Sequence, residues 1–297
     1  AIEVVKKMEM MKKGECSMII EERVTCIADN SSVLTCRMSM LGMQKDNVSS
    51  LNSFVFILRN ESDLIKQQKE VEKAKASSEK LLFQILPRDI VVRLNSGEKD
   101  ISFTVPSASI LFIDIVKFSE YTLNLTPQEI MGNLSMIFQT YDQIISNYQQ
   151  LTKIKLIGDV YMAAGGLFSP PDQDPKVHAE EAVKFCIDCL HELEEINVKL
   201  NASLSVRIGI NTGGPIIAGV LGTDRPVFDI IGDPINIAAR LQSTDIPGRI
   251  QISQETKDCI NELDFKIEPR GEVYLKGKGK SMTYFVGKSN NLLILFS

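Results

Sequence analysis

Lys153-Ile-Lys155-Leu-Ile-Gly158-Asp159-Val-Tyr-Met162 reads as two short strands joined by a Gly-Asp turn. Glycine supplies the backbone freedom of a tight turn, and aspartate bonds the backbone beside it. Upstream, Ala108–Ile113 is an apolar strand closed by the carboxylate of Asp114. Between the two lie helical signals, one near Lys117 and one at Thr126-Pro127, where proline suits a first turn. Downstream, Ala182, Cys186, Cys189, Leu190, Leu193 and Ile196 recur at helical spacing and predict an amphipathic helix. Val206–Ile210 and Ile216–Val220 read as strands around Gly213-Gly214. This β-α-α-β-β-α-β order predicts an α+β sandwich of the ferredoxin-like kind.

A chain of 297 residues with 44% apolar and 24% charged residues and a net charge of −5 fits a globular protein. It lacks the general basic character that nucleic-acid binding calls for. No apolar run approaches the roughly 20 residues that span a bilayer. Ala1 opens no signal-peptide pattern, so the expectation is a cytoplasmic piece of a longer chain, with membrane or sensor modules in the parent. The six cysteines suggest no disulfide framework. Cys186-Ile-Asp-Cys189 has no second pair at metal spacing and reads as the apolar face of its helix, and neither His178 nor His191 reads as a ligand.

The front of the chain has a different texture. Residues 1–62 are Met-rich, with strand-like runs at Cys16–Ile20, Val33–Met40 and Phe54–Leu58. The last ends at Arg59-Asn60-Glu61-Ser62 and gives way to a helical pattern. A strand leading through a polar motif into a helix resembles the C-terminal half of a PAS sensor domain; a plain antiparallel sheet is the other reading. Residues 63–96 carry Leu64, Val71, Ser78 and Ile85 at heptad spacing, which predicts a signalling helix able to form a short coiled coil, or else a solvated linker. The main domain is expected over 97–288, with a tail at 289–297.

Several polar residues stand where bland roles do not suffice. Asp114 closes an apolar strand, where a carboxylate is costly unless exposed or ligated. If its strand neighbours the hairpin, Asp114 and Asp159 reach one edge of the sheet. Asp159 alone would pass for an ordinary turn residue. Lys153 and Lys155 are two apart on a strand, so both are expected on the same face. Asn236 and Arg240, four apart in Asp229-Ile-Ile-Gly-Asp-Pro-Ile-Asn236-Ile-Ala-Ala-Arg240, share one helix face. Gly209–Gly222 is no P-loop, because no Gly-Lys-Ser/Thr follows.

Taken together, Ser109–Phe118, Lys153–Met162 and Phe228–Arg240 resemble the catalytic domain of class III nucleotidyl cyclases, over roughly residues 81–287. The resemblance implies Mg2+ or Mn2+, two per site, held by Asp114, Asp159 and the backbone carbonyl of Ile115. It implies that Lys155 and Asp229, with Ile230 beside it, bind the base. Lysine and aspartate there suit adenine, whereas guanylate cyclases usually carry glutamate and cysteine. Asn236 then orients the ribose and Arg240 stabilises charge on the α-phosphate. Arg207 and Lys276 hold the β- and γ-phosphates, although Lys276-Gly-Lys-Gly-Lys280 also reads as a solvated hairpin loop. The expected activity is adenylate cyclase, ATP to 3′,5′-cyclic AMP and pyrophosphate, in a homodimer whose head-to-tail sites each draw on both chains. The alternatives are a guanylate cyclase and a catalytically silent nucleotide-binding module. Asn211, where many relatives place histidine, and Pro234, where threonine is usual, depart from the pattern.

Overall fold

The computed structural model describes residues 2–13, 19–27, 33–44, 51–170, 172–222 and 224–288. The chain divides into two compact units, Ala1–Gln84 and Ile85–Ser297. In the first, α1 (Ile2–Lys12) precedes three antiparallel strands, β1 (Ile19–Ile27), β2 (Val33–Gln44) and β3 (Leu51–Asn60), in the order β1-β2-β3. The helix α1 falls in a stretch whose sequence suggested only strands. Of the expected Cys16–Ile20 run, just Ile19 and Ile20 lie in a described strand, and residues 16–18 lie outside the described residues. The alternation expected in the second run is present: Cys36, Met38 and Met40 of β2 are buried, and Met11 is buried as well.

Where β3 ends, Glu61 is buried and ion-paired with Arg37 at 2.8 Å and Arg23 at 3.5 Å. The Asn60 side chain accepts from the Ser62 backbone, which caps the start of α2 (Ser62–Ile85). No residue of α2 is buried, and Leu64, Val71, Leu81 and Ile85 are all exposed. Pro87 then ends that run, because proline disfavours helix in the residue before it and lacks the N–H to continue. A short α3 (Arg88–Asn95) follows, its Ile90 and Val91 buried in the second unit.

That unit continues with β4 (Ser102–Val105), β5 (Ala108–Ile115), α4 (Phe118–Tyr121), α5 (Pro127–Ile145), β6 (Leu151–Ile157) and β7 (Val160–Gly165). Then come α6 (Pro175–Leu200), β8 (Val206–Gly213), β9 (Ile216–Leu221), β10 (Val227–Ile231) and α7 (Asp233–Thr244). It closes with β11 (Ile250–Ser253), α8 (Gln254–Ile260), β12 (Phe265–Leu275) and β13 (Gly279–Lys288). Seven strands form the main sheet in the order β12-β13-β11-β8-β5-β7-β6, and β10-β9-β4 form a second, smaller one. The architecture is the expected α+β sandwich. Thr126 and Glu129 make a reciprocal capping box that starts α5, as the Thr-Pro signal predicted.

The strand β5 is central, and every one of its residues is buried. Leu111 and Ile113 enter a core with Tyr141, Tyr161, Phe185 and Cys186 from α5, β7 and α6. Ile110 and Phe112 enter another with Ile90, Ile216, Phe228 and Ala238, from α3, the small sheet and α7. A strand covered on both faces needs an unbroken apolar run, which is what Ile110-Leu-Phe-Ile113 supplies. Cys186 and Cys189 sit in the first core as free thiols, as the helix pattern implied. His178 is also buried, its Nδ1 2.8 Å from Ser109 Oγ, and burial pushes its pKa down to about 4, so it is a neutral packing residue.

Candidate active site

The register of the main sheet brings the acids together. Asp114 pairs with Val160 on one side and with Arg207 on the other. Gly158 and Asp159 form the two-residue turn between Ile157 and Val160, and Gly158 takes the positive φ of 64° that this turn demands. Asp159 is therefore one residue from the strand partner of Asp114, and both acids stand at the same end of the sheet. Asp114 is 8% exposed. Its Oδ2 accepts from Arg207 Nη2 at 2.5 Å and from Gln242 Nε2 at 2.8 Å. The turn borders an open groove lined by Phe118, Ser119, Met131, Leu156, Gly158 and Asp159.

The two lysines of β6 part company. Lys153 lies opposite Ala163 and Lys155 opposite Met162, so Ile154 is the extra residue of a β-bulge. A bulge shifts the side-chain alternation by one, which overturns the expectation that both lysines share a face. Lys153 reaches Asp142 of α5 at 2.6 Å. Lys155 reaches Asp229 of β10, also at 2.6 Å. The other Asp229 oxygen accepts from the Ile230 backbone at 2.9 Å. In the β9–β10 hairpin, Asp229 pairs with Gly219, Val227 with Leu221 and Ile231 with Ile217. The four aliphatic side chains around Asp229 are all more than half exposed.

The helix α7 packs directly on β8: a Cβ added to Gly209 would lie 2.1 Å from the Gln242 backbone nitrogen. Pro234 sits in its first turn, and the carbonyl of Pro234 accepts from Asn211, which thereby has a structural task. Asn236 and Arg240 are exposed on α7, on the side away from the buried Pro234, Ala238, Leu241 and Gln242. Lys276 is exposed in the turn between β12 and β13. Its neighbour Lys278 pairs with Asp233 at the start of α7.

The donor chemistry suits hard divalent cations, which prefer carboxylate and carbonyl oxygens. Asp114, Asp159 and the Ile115 carbonyl at the end of β5 are all oxygen donors, and both donors that Asp114 holds fall on one oxygen. Among the described residues no group of three or more His, Cys, Asp or Glu that could hold a metal ion occurs; water and substrate phosphate oxygens are the ligands that would complete the coordination.

This end of the sheet falls inside a stretch, residues 102–288, that matches the family model of the adenylate and guanylate cyclase catalytic domain. The chain belongs to that family. Human atrial natriuretic peptide receptor 2 is 36% identical over 215 residues, 71% of this chain and 20% of the receptor. The chain thus spans about a fifth of the length of the curated relatives it matches. Among solved structures, the guanylate cyclase domain of RhGC from Catenaria anguillulae in complex with GTP has a TM-score of 0.58 and 32% identity, covering 63% of this chain and 99% of that one. The adenylyl cyclase CyaB from P. aeruginosa has a TM-score of 0.59 and 27% identity, covering 64% and 98%. The class III cyclase fold is therefore established, while the relatives include both named activities.

Seen as a cyclase domain, one chain brings some sequence-predicted residues together and leaves others apart. Asp114 meets Arg207 at one sheet end, Asp159 lies in the turn at that same end, and Lys155 meets Asp229. Asn236, Arg240 and Lys276 are exposed, with no side-chain partner of their own among the described residues. Gln242 escaped the sequence reading. Its signal was a polar residue in the buried 234-238-241-242 stripe of α7, where an amide needs a hydrogen-bond partner.

Proposed function

We propose that this chain is an adenylate cyclase, converting ATP to 3′,5′-cyclic AMP and pyrophosphate at the interface of a head-to-tail homodimer. The observation that carries the reading is the Lys155–Asp229 contact, an ammonium donor and a carboxylate acceptor side by side. Adenine presents a ring-nitrogen acceptor next to an exocyclic amine donor, which complements this pair; guanine presents a carbonyl there and mismatches Asp229. The pair is half-buried in the single chain, and once the substrate and a second copy cover it, unpaired polar partners would discriminate strongly between such bases.

Mg2+ or Mn2+, two per site on Asp114, Asp159 and the Ile115 carbonyl, would lower the pKa of the ribose 3′-hydroxyl and neutralise triphosphate charge. The remaining work falls to side chains. Asn236 orients the ribose so that the 3′-oxygen lies in line with the α-phosphorus. Arg240 meets the charge growing on the α-phosphate, a role suited to its permanent charge and forked donors. Lys276 and Arg207 hold the β- and γ-phosphates as pyrophosphate leaves, and Arg207 must exchange Asp114 for a phosphate to do so.

The dimer is proposed because Asn236 and Arg240 are exposed with no side-chain partner among the described residues and because the exposed aliphatic face around Asp229 suits coverage by a second copy. The front of the chain is proposed as a PAS-like sensor fragment (1–62) and a signalling helix (63–96) preceding the catalytic region (97–288) and a tail (289–297). Deleting residues 1–62 should then change the basal rate. No described helix is long and apolar enough to cross a membrane; a cytosolic position for the catalytic region is part of the proposal.

The second reading, GTP as substrate, is favoured by relatives named as guanylate cyclases. Product analysis with ATP and GTP side by side, in Mg2+ and in Mn2+, separates the two. Cyclic AMP from ATP as the dominant product is expected. A preference for GTP overturns the base assignment, and no product from either in a verified dimer overturns catalysis.

A further inference from the structure

Gln242 is 8% exposed on α7, and its amide is spent on Asp114. Its Nε2 donates to Oδ2, the same oxygen that Arg207 Nη2 engages. Among the described residues no donor reaches Oδ1. A carboxylate with one oxygen held by N–H groups from two elements, α7 and β8, is restrained about its own bond, and the Gln242 bond remains when Arg207 turns to a phosphate. Its other oxygen is thereby presented in a fixed direction.

We infer that Gln242 is the positioning residue of the metal site, locking the Asp114 carboxylate so that Oδ1 faces the cation. This rests on the proposed assignment of Asp114 as a metal ligand. The two donors differ in a way that separates their roles. Arg207 brings positive charge against the carboxylate and so opposes cation binding, whereas the amide is neutral and orients the group without competing for its charge. A neutral donor on the oxygen that does not ligate is what keeps a carboxylate ligand both rigid and fully charged. Gln242 lies two residues past Arg240, about 200° around the helix. In the proposed dimer α7 therefore positions a metal ligand of its own chain with one face while the other serves the neighbouring site.

Two variants break the hydrogen bond differently: Gln242→Met keeps length and volume but has no donor, and Gln242→Asn keeps a donor one carbon too short. Circular dichroism and thermal melts establish that each is folded. Mn2+ alone is titrated into the dimeric protein, and free Mn2+ is read by electron paramagnetic resonance. Both variants should weaken Mn2+ binding about tenfold or more and raise the half-saturating metal concentration in the cyclase assay in parallel. The rate at saturating metal should stay within about twofold, as expected when positioning rather than chemistry is lost. A folded variant that binds Mn2+ like the parent protein, or one whose saturated rate falls with metal affinity unchanged, overturns the inference. Asp114→Asn serves as the reference. If it keeps Mn2+ binding, the metal assignment itself is wrong. If it loses binding while the Gln242 variants do not, only the role of Gln242 falls.

Discussion

Lys155 and Asp229, 74 residues apart in sequence, hold their charged atoms 2.6 Å apart in the fold. One comes from the bulged edge strand β6 and the other from β10 of the smaller sheet, so neither strand alone defines the pair. Lys155→Glu would set two carboxylates against each other and should lower kcat/KM for ATP by about 100-fold or more. Combining it with Asp229→Cys should move the ATP-to-GTP ratio of kcat/KM toward GTP. An unchanged ratio in the folded double variant would remove these residues from base selection.

Complementation checks the division of labour between chains. Asp114→Ala and Arg240→Ala chains should each be nearly inactive alone. Mixed in equal amounts with free exchange, they should recover about a quarter of the parent activity, since half the dimers are mixed and each has one intact site. A purified mixed dimer without activity would rule out sites shared between chains.

Gly209 sets how closely α7 approaches the main sheet. With Gln242 N 2.1 Å and Ala238 O 2.6 Å from any added Cβ, Gly209→Ala must push α7 off β8. The expected loss is about 1–3 kcal/mol or more, read by chemical denaturation, together with a higher half-saturating metal concentration because Gln242 moves too. A melting temperature equal to that of the parent would show that the sheet yields instead.

Two buried groups give stability opposite pH dependences. Burial, which outweighs the Ile208 and Ile246 backbone donors and the Arg270 and Arg249 charges, pushes the Asp245 carboxyl from 3.8 up to about 7. The folded chain keeps that proton where the unfolded chain has lost it, so this contribution falls as pH rises from about 4 to 7. Burial lowers His178 from 6.5 to about 4, so its contribution rises with pH between about 4 and 6.5. The slopes are each at most about 1.4 kcal/mol per pH unit and nearly cancel below pH 6.5. Asp245→Asn keeps an acceptor for the Ile208 N–H while removing one slope. Its unfolding free energy should climb between pH 4.5 and 6.5, where the parent stays flatter. Parallel curves for the two proteins would mean that Asp245 ionises normally in the fold.

Much of this was legible in order and pattern. The apolar run before Asp114, the Gly-Asp turn, the Thr-Pro helix start and the 182-to-196 stripe fixed the element sequence, because each reflects backbone geometry or burial over a few neighbouring residues. The N-terminal helix α1 was not legible: Met-rich residues with mixed charge satisfy helix and strand periods alike over eleven positions. The shared face assigned to Lys153 and Lys155 failed for a similar reason, since nothing in Lys-Ile-Lys announces that Ile154 is a bulge.

The sequence by itself determined the family, the α+β class and the identity of the chemically able side chains, since strand, turn and helix signals are local and the motifs are contiguous. Tertiary structure decided how they come together. Strand register put the Gly158-Asp159 turn at the sheet end where Asp114 lies, the bulge turned Lys155 toward Asp229 and away from Asp142, and the close packing of α7 at Gly209 delivered Gln242 to Asp114. Such contacts join residues 33 to 128 positions apart. They depend on pairing register and backbone approach, quantities set by the packed core as a whole and written in no single segment.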